Sequence, residues 1–329
     1  MRVAVLGAGS WGTTMASLLA PRHPTVLWAR DGDLARSVDG DGVNTAYLPG
    51  FRLPGELRAT ADLEEAVADA DLLVLGVPTS GFRAVLEGAA RAVRPWIPVV
   101  SLAKGFESGT HFRMTQIIED VLPGHPAAAL TGPNIAREIM EGKAAAAVVA
   151  TGDLAVAAEI QRVVTRGVFR VYVNDDVVGC EIGGALKNVI AIAAGIGEGL
   201  GVGDNTRAAV MARGLAELTR LGVAMGAKPT TFAGLAGMGD LIATCMSPYS
   251  RNRSVGEQLG KGRKLEEILA SMQMVAEGVN TAVLALELAE RHGLELPICR
   301  MIDKVVRGEI APMDAYYGLT PAGHEADPG

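Results

Sequence analysis

A doubly wound α/β domain followed by an all-helical domain is the fold class that this chain of 329 residues predicts. Three observations carry that prediction. Short continuous apolar runs alternate with helical patterns through the first half, as a parallel sheet covered on both faces requires. The first of those runs leads directly into a glycine-rich turn, "GAGSWG" (7–12). From about Asp175 onward convincing strand patterns cease, and long helical ones replace them. The predicted divisions are 1–178 for the α/β domain, 179–319 for the helical domain and 320–329 for a disordered tail, polar and carrying Gly and Pro.

The elements follow in order. "VAVLG" (3–7) reads as a buried strand, "TTMASLLA" (13–20) as helix and "TVLWAR" (25–30) as the second strand. A polar stretch with Gly and Pro then precedes a helix at 62–70 and a strand at 71–78. Helix (82–93), strand (97–103) and helix (112–122) continue the alternation, and strands at 127–133, 144–151 and 168–174 close it. Helical patterns at 206–222, 264–272 and 280–293 fill the second half. "GIGEGLGVG" (195–203) follows a helix rather than a strand, so it reads as a flexible connection allowing close approach, not as a second phosphate loop.

Composition bounds the function. Hydrophobic content of 49% with 20% charged residues describes a globular chain with a substantial core. A net charge of −7 and a pI near 5.4 argue against a general nucleic-acid binder, while a local basic pocket for a phosphorylated small molecule stays open. The longest uncharged runs read as too short and too rich in Gly and Ala to span a bilayer, and no signal peptide is visible. Cys180, Cys245 and Cys299 are widely spaced and form no Cys-x-x-Cys pattern. They fit reduced thiols in the cytoplasm and no metal site, and the five histidines add no close pair with ligand spacing.

"GAGSWG" fits G-x-G-x-x-G with Gly7, Gly9 and Gly12 in register, after a strand and opening a helix. In a Rossmann-like domain Gly7 permits the tight turn, Gly9 lets backbone approach a pyrophosphate, and Gly12 lets helix pack on strand. The helix N-terminus supplies N–H groups for the phosphate charge. Ser10 and Trp11 lie inside this loop, Trp11 as a neighbour of the cofactor or as a hydrophobic anchor. Where a dinucleotide site reading a ribose 2′-hydroxyl has an acid at the end of strand two, this chain has Arg30, then Asp31. Arginine suits a 2′-phosphate, which favours NADP(H); Asp31 keeps NAD(H) open, and Arg30 as a solvated loop cation fits the sequence too.

"EIGGALKNVIAIAAG" (181–195) holds Lys187 in a small, apolar run. On a helix Gly184, Ile190, Ala191 and Ala194 share its face, and none can pair with an ammonium. A lysine snorkelling from a helix edge fits this window as well as a functional one does.

The chain resembles the soluble NAD(P)-dependent glycerol-3-phosphate dehydrogenases of bacteria. The segments that carry the resemblance are "GAGSWGT", "SLAKGFE", "TGPNIAREI", "GALKNVIAIAAGIGEGLGVGDNTRAA", "GLAGMGDLIATC", "SRNRSVG" and "VAEGVNT", in the family's order and over nearly the whole chain. The resemblance implies reduction of dihydroxyacetone phosphate to sn-glycerol 3-phosphate for phospholipid synthesis, in the cytoplasm, with a homodimer as a further option. It implies Lys187 as the proton donor and acceptor for the forming alkoxide, and Asp240 as the group holding the lysine or a substrate hydroxyl. It puts Lys104 against both substrate and cofactor, Gly132 and Asn134 in the substrate loop, and Ala136 near the cofactor. Many relatives have Ser or Thr where Asn134 stands, and Asn can still donate a hydrogen bond. Ser250, Arg251 and Asn252 become the substrate-phosphate segment, with Arg251, Val275 and Glu277 also lining the cofactor. Read without the resemblance, Asp240 and Ser250 are also plausible helix caps and Lys104 a solvated loop lysine.

Two other functions fit parts of the sequence. A related hydroxyacid dehydrogenase would recognise a carboxylate, and "SRNRSVG" favours phosphate instead. A redox-sensing module would bind cofactor without turnover, and it gives no reason for Lys187, Asp240 and the phosphate segment to occur together.

Overall fold

In a computed structural model, which describes residues 1–272 and 276–318, the chain divides into two compact units, Met1–Val177 and Val178 onward. The first unit is an eight-stranded sheet with helices on both faces. Its strands, in chain order, are β1 (Val3–Leu6), β2 (Thr25–Trp28), β5 (Leu57–Thr60), β6 (Leu72–Leu75), β7 (Val99–Ser101), β8 (Ala127–Thr131), β9 (Ala145–Ala150) and β10 (Phe169–Asn174). β3 (Val43–Asn44) and β4 (Leu48–Arg52) form a separate hairpin between β2 and β5. The sheet order is β10-β9-β8-β7-β6-β1-β2-β5, so successive crossovers run in opposite directions from β1. The reversal falls between β1 and β6, and a crevice outside the strands' carboxyl ends at such a point is where ligands bind.

The sequence of β1 shows why both faces are covered. Val3 and Val5 join one core with Met15 and Leu19, while Ala4 and Leu6 join the other with Phe82 and Leu86. Leu72 and Val74 divide from Leu73 and Leu75 in the same way. An apolar residue at every position is what a strand buried on two sides needs.

Three features depart from the sequence-based expectation. The polar stretch after β2 contains β3, β4 and β5; β5 pairs parallel to β2 at the sheet edge, where "LRAT" is half-solvated and lacks an apolar run. β8 and β9 pair antiparallel, because the short helix Ala136–Met140 between them does not carry the chain back across the sheet. An apolar run looks alike in either direction, so hydrophobicity does not report strand sense. The third concerns "GIGEGLGVG": Val177–Leu200 is one continuous helix, so residues up to Leu200 are helical rather than a flexible connection.

That helix is the core of the second unit, whose described residues form helices and no strand. By length and composition alone it could cross a membrane, yet it is no uncharged run, since it carries Glu181, Lys187 and Glu198, and 89% of its most apolar window is buried inside the protein. Its glycines explain how. A Cβ on Gly195 would strike the Arg253 carbonyl and one on Gly199 the Glu257 carbonyl. Reciprocally, a Cβ on Gly256 would strike the Ile192 carbonyl and one on Gly260 that of Ile196. Paired glycines at four-residue spacing thus let the helices Val177–Leu200 and Arg251–Gly260 meet backbone to backbone. The close approach is real, and it is made between helices. The proposed tail, 320–329, lies outside the described residues.

Candidate active site

In the first unit the switch point is built from three glycines. Gly7 follows β1 with φ +110, a conformation open to glycine, and a Cβ there would meet Gly76 at 2.8 Å. Gly12 sits against the Gly7 carbonyl, so its helix, Ser10–Leu19, can lie close to β1. Gly9 differs: a Cβ there would meet nothing within 4 Å. The loop is therefore tight where it packs and open where a pyrophosphate would approach, and no side chain caps the N–H groups of its helix. The residues present fit a dinucleotide. Gly76, directly after β6, was not singled out in the sequence, although a glycine ending a buried strand was the signal.

Arg30 is exposed just beyond β2. The carboxylate of Asp31 accepts from the Asp33 N–H at 2.8 Å and the Leu34 N–H at 3.3 Å, capping the helix Gly32–Arg36. Trp11 packs edge-on against Phe169, centroids 5.9 Å apart, with its indole N–H buried and unpaired. The hydroxyl of Ser10 donates to the Tyr47 carbonyl at 2.7 Å.

Two loops at the carboxyl ends of the neighbouring strands β7 and β8 are joined by Lys104, whose Nζ donates to the Gly132 carbonyl at 2.9 Å. Gly132 has φ +119, and a Cβ would press on Ala146 and Ala147 at 3.2 Å. Two residues on, both amide atoms of Asn134 are buried without a hydrogen-bond partner. A buried amide left wholly unsatisfied costs stability, so a polar ligand is its natural partner. Ala136 opens the following helix.

In the second unit Lys187 is 6% exposed and Asp240 2%, with Nζ 2.8 Å from Asp240 Oδ1. Burial of both charges rules out the snorkelling reading. Asp240 comes from the start of the helix Asp240–Met246, and one turn on the same helix Thr244 accepts a second Lys187 N–H. The Thr244 hydroxyl lies 2.6 Å from the Asp240 main-chain carbonyl, so its proton is spent there and its lone pairs face the ammonium. An ammonium has three N–H donors; two are committed here, and the third is left for a ligand oxygen. Thr244 was missed in the sequence, though its four-residue spacing from Asp240 places both on one helix face. Nearby, burial pushes the Cys245 thiol up to about 12, so it stays a neutral thiol.

The phosphate-segment candidates separate. Ser250 accepts the Arg253 N–H at 3.3 Å and caps the helix Arg251–Gly260. Arg251 is exposed at that helix's first position. Asn252 is buried, and its Oδ1 accepts the Gly278 N–H at 3.0 Å, which ties it to the start of the helix Gly278–Arg291. Its side-chain oxygen is thus committed and its amide N–H groups are the part that can serve an anion. Arg253 holds the segment to the long helix through Glu198 at 3.1 Å. Glu277 immediately precedes Gly278, and Val275 lies outside the described residues. Among the described residues, no group of three or more His, Cys, Asp or Glu is placed to hold a metal.

Fold and chemistry together put the chain among the nicotinamide-dinucleotide-dependent dehydrogenases. Comparison with known proteins narrows that class. Residues 2–157 match the N-terminal family of NAD-dependent glycerol-3-phosphate dehydrogenases, and residues 176–317 match its C-terminal family. A glycerol-3-phosphate dehydrogenase [NAD(P)+] of Sphingopyxis alaskensis is 56% identical over 100% of this chain and 99% of its own. One from Geobacter sulfurreducens is 52% identical over 93% of this chain and 92% of its own. The crystal structure of glycerol-3-phosphate dehydrogenase from Coxiella burnetii superposes with a TM-score of 0.93 at 32% identity, covering 97% of this chain and 98% of that one. The chain belongs to the NAD(P)-dependent glycerol-3-phosphate dehydrogenase family.

Proposed function

We propose that this chain reduces dihydroxyacetone phosphate to sn-glycerol 3-phosphate, for glycerophospholipid synthesis, with Lys187 as proton donor and acceptor. The observation that carries the roles is the buried Lys187–Asp240–Thr244 cluster with one ammonium N–H uncommitted. Bound NAD(P)H supplies the hydride for the ketone carbon. Lys187 hydrogen-bonds the ketone oxygen, stabilises the negative charge that grows on it and then gives it a proton. Asp240 pairs with the lysine and orients it, and Thr244 fixes its rotamer. Lys104 orders the Gly132 loop, and the amide of Asn134 hydrogen-bonds the substrate or cofactor. Ser250, Arg251 and the amide N–H groups of Asn252 hold the substrate phosphate, the guanidinium of Arg251 facing cofactor as well.

Gly7, Gly9, Ser10, Trp11 and Gly12 hold the pyrophosphate, with Ala136, Val275 and Glu277 lining the cofactor beyond it. Arg30 meets the 2′-phosphate, and because Asp31 is occupied as a helix cap, NADPH is the preferred reductant. The finer parts of this reading are a cytoplasmic location, in keeping with three buried cysteines outside any disulfide, and a homodimer.

Steady-state assay with dihydroxyacetone phosphate and each reduced nicotinamide tests it. Turnover is expected with both, and Arg30→Ala is expected to raise the KM for NADPH about tenfold, the scale of one charge-assisted hydrogen bond, while sparing NADH. Cofactor binding without turnover would refute the reading, and equal effects on both cofactors would return Arg30 to the solvent.

A further inference from the structure

We propose that Asn44 aims the glycine loop at the cofactor, an inference that rests on reading residues 7–12 as the pyrophosphate site. Asn44 lies on β3, in the hairpin set between β2 and β5, and is completely buried. Its Nδ2 donates to the Ala8 carbonyl at 2.9 Å and to Thr13 Oγ1 at 2.8 Å. Both amide protons therefore go to the glycine loop and the first turn of its helix. Its Oδ1 accepts the Tyr47 N–H at 3.0 Å, which locks the amide to its own hairpin. The Thr13 hydroxyl adds a second donor to the Ala8 carbonyl at 3.2 Å, and Ser10 reaches back to the Tyr47 carbonyl.

The consequence follows from peptide geometry. The Ala8–Gly9 peptide is planar and trans, so its carbonyl and its N–H point in opposite directions. Anchoring the Ala8 oxygen on Asn44 and Thr13 turns the Gly9 N–H away from the hairpin. That N–H has no protein acceptor among the described residues, and Gly9 has no neighbour where a Cβ would stand. Released, the same peptide could rotate and present carbonyl lone pairs to the phosphates, which would repel them. Asn44 acts through this peptide, so it is a positioning residue. Nothing in the G-x-G-x-x-G pattern requires it, since the residue comes from a hairpin more than thirty positions later in the chain.

The test uses the full chain and two probes: NADPH, and adenosine 2′-phosphate, which lacks the pyrophosphate. Asn44→Asp keeps the side-chain volume and the acceptor for Tyr47 but sets an oxygen against the Ala8 carbonyl. It is expected to raise the Kd of NADPH at least about tenfold while leaving adenosine 2′-phosphate within about twofold. Thr13→Val, which removes one of the two donors to the same carbonyl, is expected to give a smaller shift of the same kind, about threefold, and serves if Asn44→Asp does not fold. A folded variant with unchanged NADPH affinity would overturn the proposal. So would an equal loss for both probes, which would mean a general structural role. Wild-type protein that bound NADPH no more tightly than adenosine 2′-phosphate would instead overturn the pyrophosphate reading, and the inference with it.

Discussion

Among the described residues of the helical unit three carboxylates are buried, Glu181, Glu217 and Asp240, and the chain accommodates the last two in different ways. Asp240, 2% exposed, meets the ammonium of Lys187. Glu217, 4% exposed, meets main chain instead: its oxygens accept the Ile298 N–H at 2.7 Å and the Cys299 N–H at 3.3 Å, at the start of the helix Pro297–Val306. Burial holds the Glu217 carboxyl above its ordinary range, against the pull of those two N–H groups. Around Glu217 the donors and acceptors close on each other, and the result is a helix cap. Around Lys187 one strong donor is left over. Buried charge alone therefore does not identify a site; unused bonding capacity beside it does.

Breaking the two arrangements should separate them. Asp240→Ala carries the largest expected loss of stability. It leaves Lys187 buried and unpaired, at a cost of roughly 3–5 kcal/mol, and turnover falls with it. Urea denaturation alongside kcat checks both effects, and a variant with wild-type stability and turnover would remove the pair from the account. Glu217→Ala should cost less, roughly 1–3 kcal/mol for two unsatisfied N–H groups, and kcat of the folded enzyme should not change. A fall in kcat at constant fold would contradict the division between cap and site.

The same residue gives a pH signature of defined sign. Because the folded protein holds the Glu217 proton more tightly than the unfolded chain does, its contribution to stability is complete below the ordinary value of 4.5. That contribution fades as pH rises through the folded value. Tm measured from pH 4.5 upward should therefore contain a declining component in the wild type that Glu217→Ala lacks.

The sequence made some of this legible and hid the rest for physical reasons. Alternation of apolar runs and helices revealed the doubly wound unit because strands buried on both faces have no polar positions, as β1 and β6 show. β5 and the β3–β4 hairpin escaped because their strands are half-solvated and carry polar residues where β1 and β6 carry none. The two glycine-rich segments look alike as strings, yet Gly9 faces open space and Gly195 faces the backbone of Arg253. Only what stands opposite each glycine distinguishes a ligand cradle from a helix crossing, and that information is non-local. Lys187 stood out because a charge among small apolar residues is anomalous, whereas Thr244 and Asn44 are ordinary residues in ordinary surroundings until their partners arrive from elsewhere in the chain.

Lys187→Ala tests whether the leftover N–H of Lys187 delivers the proton. With circular dichroism to establish the fold and NADPH titration to establish cofactor binding, kcat for dihydroxyacetone phosphate should fall by about 10²–10⁴-fold, the usual worth of a positioned acid or base. NADPH affinity should stay within about twofold, because the glycine loop proposed to hold the cofactor belongs to the other unit. Lys187→Arg should not restore the rate, since a guanidinium keeps its proton near neutrality. A folded Lys187→Ala enzyme that binds NADPH and turns over near the wild-type rate would contradict the claim and pass the role of acid to Lys104.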